Sequence, residues 1–211
     1  MGIVRWCRKA VGRSQGFLFK ALRPLMPRSR GIDIGRDVRL RGWPCIRAKA
    51  GSRIEIGDRV TLLSSPTSNA VGLAHPTIIQ TLAPGALIRI GDDCGLSGAA
   101  IVARKEIVIG KDVLLGAGCK ILDNDFHPID AEERCRNVEA SIRAEAIVIE
   151  DKVWIGGGAT ILKGVRLGEG CVVGASAVVT KSLPAFSVAA GNPAKVIRML
   201  KQRDPQVAAD E

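Results

Sequence analysis

From residue 149 to residue 179 a branched aliphatic stands at every sixth position: Ile149, Ile155, Ile161, Leu167, Val173 and Val179. Four residues after each of the first five comes a small or modest side chain, at Val153, Ala159, Val165, Cys171 and Ala177. The same frame recurs upstream at Ile34, Leu40 and Ile46, at Ile56 and Leu62, at Ile90 and Leu96, and at Ile109, Leu115 and Ile121. A helix repeats every 3.6 residues and a half-buried strand every two, so neither produces a period of six. A hexad reads instead as one short strand and a corner. Three hexads close a triangular coil of about 18 residues, and successive coils stack at about 4.8 Å with their backbone groups paired. The predicted architecture is an all-β, parallel β-helix whose aliphatics fill the prism.

The interruptions of the frame are as informative as the frame. The spacing from Ile121 to Ile149 exceeds four hexads by four positions, and the charged stretch between Asp123 and Ala146 lacks the pattern. It reads as a loop extruded from the solenoid, where binding faces are commonly built. Smaller slips fall near residues 63–86 and 99–107. The repeat ends near Thr180, and Ala194 to Arg203, with Val196, Ile197 and Leu200 on one side, reads as a short closing helix. The expected organisation is an N-terminal segment over 1–30, a β-helix over 31–200 with its loop at 123–146, and a tail over 201–211.

Composition sharpens this picture. Four Phe, three Trp and no Tyr among 211 residues suit a narrow interior filled by branched aliphatics. Six cysteines show no metal or disulfide spacing, and Cys94, Cys119 and Cys171 fall on small core positions of the frame. No secretory signal and no run of about 18 apolar residues is seen, which points to a cytoplasmic setting. The net charge of +10 is concentrated: residues 1–30 hold eight Lys or Arg and no acid, leaving +2 for the rest.

Three stretches then carry a family resemblance: D-F-H-P-I-D at 125–130, V-W-I-G-G-G-A at 153–159 and A-A-G-N-P-A-K-V-I-R at 189–198. With the hexads between them they resemble the hexapeptide-repeat acetyltransferases of the galactoside, maltose and nodulation-factor type, closest to those that decorate surface polysaccharides. The resemblance implies a left-handed β-helix and an O-acetyltransferase that uses acetyl-CoA and no metal. It implies His127 as general base, removing the proton from an acceptor hydroxyl as the oxygen attacks the thioester, with no acyl-enzyme. Imidazole, with an ordinary pKa of about 6.5, suits that task. The oxyanion would meet a backbone N–H at Gly156-Gly157-Gly158, with Gly157 the chosen donor. Asp123 and Asp125 flank His127 and either orient the imidazole or bind the acceptor. Gly116, Trp154, Ala175 and Thr180 match positions along the pantetheine arm. Lys195 and Arg198, with Lys181 as a third cation, match the residues that meet the nucleotide phosphates. Where some members place an asparagine to hold a ligand, this chain has Gly95-Leu96-Ser97-Gly98, making Ser97 the substitute in acceptor binding. The resemblance also implies a homotrimer with sites between neighbouring prisms, acting on a sugar or lipid-linked saccharide.

Residues 3–26 mix Trp6, Phe17, Leu18, Phe19, Leu22, Leu25 and Met26 with the cations. Two readings stay open for this leader: a peripheral dock on the inner face of the cytoplasmic membrane, or a cap on the open end of the solenoid. The nearly neutral body argues against nucleic acid. Two histidines, His75 and His127, are too few for the three-histidine zinc centre of the β-helix hydrolyases, and His75 reads as a loop residue. An N-acetyltransferase on an amino sugar and a non-catalytic scaffold remain as alternatives.

Overall fold

The hexads become strands because each inward aliphatic is followed within two residues by a corner, so no strand grows beyond a few residues. In the computed structural model, which describes residues 31–201, six successive coils of three strands each are laid down. The first holds β1 (Ile32–Ile34), β2 (Arg39–Arg41) and β3 (Cys45–Arg47); the second β4 (Arg53–Ile56), β5 (Thr61–Leu63) and β6 (Ile78–Thr81). The third holds β7 (Leu87–Ile90), β8 (Gly95–Ser97) and β9 (Ala100–Ala103); the fourth β10 (Glu106–Ile109), β11 (Leu114–Leu115) and β12 (Lys120–Leu122). The fifth holds β13 (Ile147–Ile149), β14 (Trp154–Ile155) and β15 (Thr160–Leu162); the sixth β16 (Arg166–Leu167), β17 (Val172–Val173) and β18 (Val178–Val179). The chain ends in β19 (Ser187–Ala190) and β20 (Lys195–Met199).

First, second and third strands of each coil line up as three parallel sheets, here sheets 1, 2 and 3. Corner 1 joins sheet 1 to sheet 2, corner 2 joins sheet 2 to sheet 3, and corner 3 leads on to the next coil. The core is a column of aliphatics: Ile54, Ile88, Ile107 and Ile147 succeed one another in sheet 1, and Ile79, Ile101, Ile121 and Ile161 in sheet 3, all buried. Cys94, Cys119 and Cys171 lie in the same column as free thiols. Burial pushes Cys119 up to about 12 and Cys94 and Cys171 up to about 11, so these are inert core residues, as expected.

The insertions leave the stack in register. Ile107 pairs with Ile147 across the whole extruded loop as squarely as Val148 pairs with Arg166 across one plain coil. Between β12 and β13 the extruded segment carries a short helix, α1 (Ala131–Cys135), capped at its N-terminus by Asp130, whose side chain accepts from Glu133 N at 2.9 Å. A 3-10 turn follows over Glu139–Ser141.

One expected element is corrected. The closing helix expected over 194–203 is replaced, in the part that is described, by a strand: Lys195–Met199 is β20, antiparallel to β19, with Ala190 opposite Lys195 and Val188 opposite Arg198. The apolar spacing of Val196, Ile197 and Leu200 fits a helix turn. Adjacent β-branched residues favour extended backbone, however, and the open edge of β19 offers a row of backbone partners no helix could use. The chain turns back at Gly191, with φ +100. The basic leader at 1–30 and the tail beyond residue 201 lie outside the described residues. Among those described, no helix is long and apolar enough to cross a membrane.

Candidate active site

His127 is carried at corner 3 by a loop whose two legs are zipped together. Asn124 and Ala144 form an antiparallel bridge, Asp125 N donates to Arg143 O at 3.1 Å, and Glu145 N donates to Asp123 O at 2.9 Å. Above this zipper the chain makes a tight turn. The Asn124 side chain accepts from Phe126 N at 2.9 Å, Phe126 takes φ +61, and His127 N donates to Asp125 O at 2.7 Å. The turn leaves His127 exposed over a buried Pro128. An imidazole free to solvent on a stiff turn is a group that can exchange protons with an incoming ligand.

The two flanking aspartates separate into different parts. Asp123 is fully buried and its carboxylate is filled: Oδ1 accepts from Arg104 N (2.7 Å) and Asn124 Nδ2 (3.0 Å), and Oδ2 from Lys105 N (2.7 Å) and Glu106 N (2.8 Å). The expectation that it orients the imidazole or holds an acceptor is corrected. It closes the turn between β9 and β10, and every acceptor site it has is spent on that turn and on Asn124. The sequence held the signal, because Asp123 directly follows β12 two residues after the inward Ile121, so the strand's alternation carries it to the inward face. Asp125 is partly buried and pairs through Oδ1 with Lys163 Nζ at 2.5 Å. Its Oδ2 is buried with no partner among the described residues. Lys163, at the end of β15, has no neighbour in sequence that announces this contact.

Corner 2 gathers a second group. Gly116 and Ala117, Gly156 and Gly157, and Gly174 and Ala175 stack as successive coils, with Ser97 one coil below and Ala190 one coil above. Backbones touch here: a Cβ at Gly156 would lie 2.6 Å from Ala175 N, and one at Gly116 would lie 2.5 Å from Gly157 N. Among the described residues, no hydrogen bond engages the N–H of Ala117, Gly157 or Ala175. The corner thus presents a file of free amide donors. Beside it, on the outer face of sheet 2, Leu114 and Trp154 are register partners and more than half exposed. Lys195 and Arg198 are exposed on β20, the last strand of that sheet.

The chain therefore brings together Ser97, Gly116, Trp154, Gly157, Ala175, Lys195 and Arg198 on sheet 2 and corner 2. His127, Asp125, Lys163, Thr180 and Lys181 belong to corner 3. The strands of sheet 3, three residues at about 3.3 Å each or roughly 10 Å, lie between the two corners. Among the described residues, no hydrogen bond or ion pair joins His127 to Gly157. His75 sits in the loop between β5 and β6, at corner 2 of the second coil, with its Nδ1 2.9 Å from Pro76 O and its own carbonyl oxygen 2.9 Å from where a Cβ on Gly98 would stand. Among the described residues no group of three or more His, Cys, Asp or Glu could hold a metal ion.

Residues 146–181 match the family described as bacterial transferase hexapeptide (six repeats). The matched stretch, the last two coils of the solenoid, is similar to a transferase hexapeptide repeat. A Saccharomyces cerevisiae protein provisionally named an acetyltransferase is 39% identical over 110 residues, covering 52% of this chain and 50% of its own length. The galactoside O-acetyltransferase of Lactococcus lactis subsp. lactis is 35% identical over 104 residues, covering 49% and 48%. Among solved structures, the polysialic acid O-acetyltransferase OatWY superposes with a TM-score of 0.56 at 21% identity, over 82% of this chain and 91% of that one. The chain spans about half the length of these two curated relatives, and the structural likeness carries the fold.

Proposed function

We propose that the protein is an acetyl-CoA-dependent O-acetyltransferase that acylates a hydroxyl of a sugar or saccharide precursor. The observation that carries this reading is the file of unpaired amides at Ala117, Gly157 and Ala175, beside Trp154 and below the cations of β20. A slender, amide-bearing pantetheine arm suits such a row, with Gly116 leaving room for it and Lys195 and Arg198 meeting the phosphates. Thr180 and Lys181, across sheet 3, would contact the donor only where it reaches another prism. The Gly157 N–H then receives the oxyanion as the tetrahedral intermediate forms. His127 takes the acceptor's proton while the acceptor oxygen bonds to the thioester carbon; collapse breaks the C–S bond, and the proton passes to the leaving thiolate.

His127 and Gly157 belong to different corners, which supports a site completed by a second copy: the loop at 123–146 of one prism facing corner 2 of the next. A homotrimer satisfies this with three equal sites. The exposed apolar pair Leu114 and Trp154 lies on the face such packing would cover. The cytoplasmic setting, and a leader docked on an anionic membrane where lipid-linked saccharides are assembled, belong to the same proposal.

Calorimetry with acetyl-CoA and the full-length chain tests the donor, with saturable micromolar binding weakened by Lys195→Ala plus Arg198→Ala. Acetyl transfer is then measured to methyl galactopyranoside and to glucosamine, with His127→Ala as control. Transfer to the amine alone would replace the O-acetyl reading by the N-acetyl one; no binding at millimolar acetyl-CoA would overturn both. Mixing inactive His127→Ala with inactive Ala175→Asp after co-refolding is expected to restore partial activity, since hybrid oligomers contain sites with both groups intact.

A further inference from the structure

Among the described ion pairs, Lys163–Asp125 is the one with both side chains at least three-quarters buried, at 25% and 22% exposure, whereas every other pair has a partner at least 48% exposed. It joins residues 38 apart. One end is fixed on the coil: Lys163 directly follows β15, and the next residue, Gly164, donates through its N–H to Glu145 O at 3.2 Å. The other end is the first residue of the turn that presents His127, because Asp125 O accepts the His127 N–H and Asp125 N is held by Arg143 O. The second carboxylate oxygen of Asp125 is buried and unpartnered, so Lys163 supplies the only hydrogen bond this carboxylate accepts among the described residues.

We infer that Lys163 is a positioning residue for the base. It clamps the Asp125 carboxylate to the rigid fifth coil and so fixes the height and direction of the turn that ends in His127. Removing the ammonium would leave a buried carboxylate with neither charge partner nor donor, a state the loop relieves by lifting Asp125 toward water. That movement carries the His127 backbone with it, because the two residues share the turn's hydrogen bond. An error of about 1 Å in the placement of a catalytic group is enough to cost on the order of a hundredfold in rate. The inference rests on the assignment of His127 as base, while the clamp itself is a property of the loop and is measurable without turnover.

The test uses the full-length protein and its Lys163→Met, Lys163→Arg and Lys163→Met/Asp125→Asn variants, in two arms. In hydrogen exchange, Lys163→Met is expected to speed the Asp125 and His127 amides about tenfold or more, with the β12 and β15 amides unchanged as proof of folding. In acetyl transfer to methyl galactopyranoside or glucosamine, whichever the wild type accepts, Lys163→Met is expected to lower kcat between tenfold and about a hundredfold with little change in KM for acetyl-CoA. Lys163→Arg recovers most of both effects, and the double variant is no worse than Lys163→Met. Unchanged exchange in Lys163→Met, or no recovery with arginine, overturns the clamp. An active wild type whose Lys163→Met variant keeps its kcat overturns the positioning role alone. A wild type without transfer removes the base assignment and the positioning role with it, and the exchange arm then decides the clamp by itself.

Discussion

Corners 1 and 2 have the same backbone and opposite chemistry. Each begins with close contact between coils, at Gly57 against Asp92 N (2.8 Å from an added Cβ) and at Gly156 against Ala175 N (2.6 Å). Each passes through a left-handed residue, at Arg59 (φ +58), Asp93 (+59) and Lys152 (+58) on corner 1, and at Gly158 (+70) and Ser176 (+58) on corner 2. The middle residue differs. On four of the six coils corner 1 caps its N–H with a carboxylate: Arg36 N by Asp58 Oδ1 (2.6 Å), Asp58 N by Asp92 Oδ1 (2.9 Å), Lys111 N by Asp151 Oδ1 (2.8 Å) and Glu169 N by Glu150 Oε2 (2.8 Å); the N–H groups of Asp92 and Asp151, whose side chains do the capping, are left open among the described residues. Arginine and lysine then neutralise the acids, as in Arg36–Asp58, Arg59–Asp93 and Lys152–Glu169. Corner 2 has alanine and glycine in the same places and leaves its amides open. A repeat that needs only a tight turn can satisfy its own donors; under the proposed function, corner 2 leaves its donors for a ligand's oxygen.

The sharpest way to break this contrast is to give corner 2 the chemistry of corner 1. Ala175→Asp sets a carboxylate over Gly157 as Asp92 stands over Asp58. Stability is expected to hold or rise, while acetyl-transfer kcat falls on the order of a hundredfold to a thousandfold, the loss typical of one oxyanion donor. Retained turnover would sink the role given to Gly157. The next effect is common to both corners. Gly156→Ala and Gly57→Ala each push a methyl into backbone, and each is expected to cost about 1–3 kcal/mol in denaturant unfolding; a much cheaper Gly156→Ala would mean corner 2 is the softer one. Asp151→Ala uncaps Lys111 and is expected to cost only about 0.5–1.5 kcal/mol, without altering acetyl-CoA affinity by calorimetry.

The smallest difference is in acid. Hydrogen bonds from Arg36 hold the Asp58 carboxyl below the usual carboxylate range, and those from Arg59 do the same for Asp93. Their stabilisation is therefore complete above that range and fades as pH falls through the lowered values. Melting followed from pH 5 to pH 2 is expected to show a shallower decline in Asp58→Asn/Asp93→Asn than in the wild type, while corner 2, with no acids of its own, contributes nothing to the slope.

The solenoid was readable in the chain because one residue in six, Ile149 through Val179, has to face inward in every coil whatever the outer residues do. Reading broke down where tertiary partners decide the outcome. The spacing of Val196, Ile197 and Leu200 serves a helix or a strand equally, and the waiting edge of β19 chose the strand. Asp123 resembled its solvated neighbours, although its place two residues after Ile121 marks it as an inward residue, and the turn at 104–106 supplies its donors. Lys163 was invisible, since an ion pair across 38 residues leaves no local trace. The open amides at Ala117, Gly157 and Ala175 followed in part from the small side chains at corner 2. Their isolation became visible only against the capped amides of corner 1.

The pairing of β12 with β15, with the whole extruded loop between them, has a further consequence. The coils hold the two feet of the loop at a separation fixed by strand stacking, whatever chain lies between them. The segment between Asp125 and Arg143 can thus lengthen, shorten or change its residues with only a slowly growing entropic cost and no disturbance of the core. The solenoid acts as a socket, and under the proposed function acceptor preference would be exchanged by replacing the insert while corner 2 stays as it is.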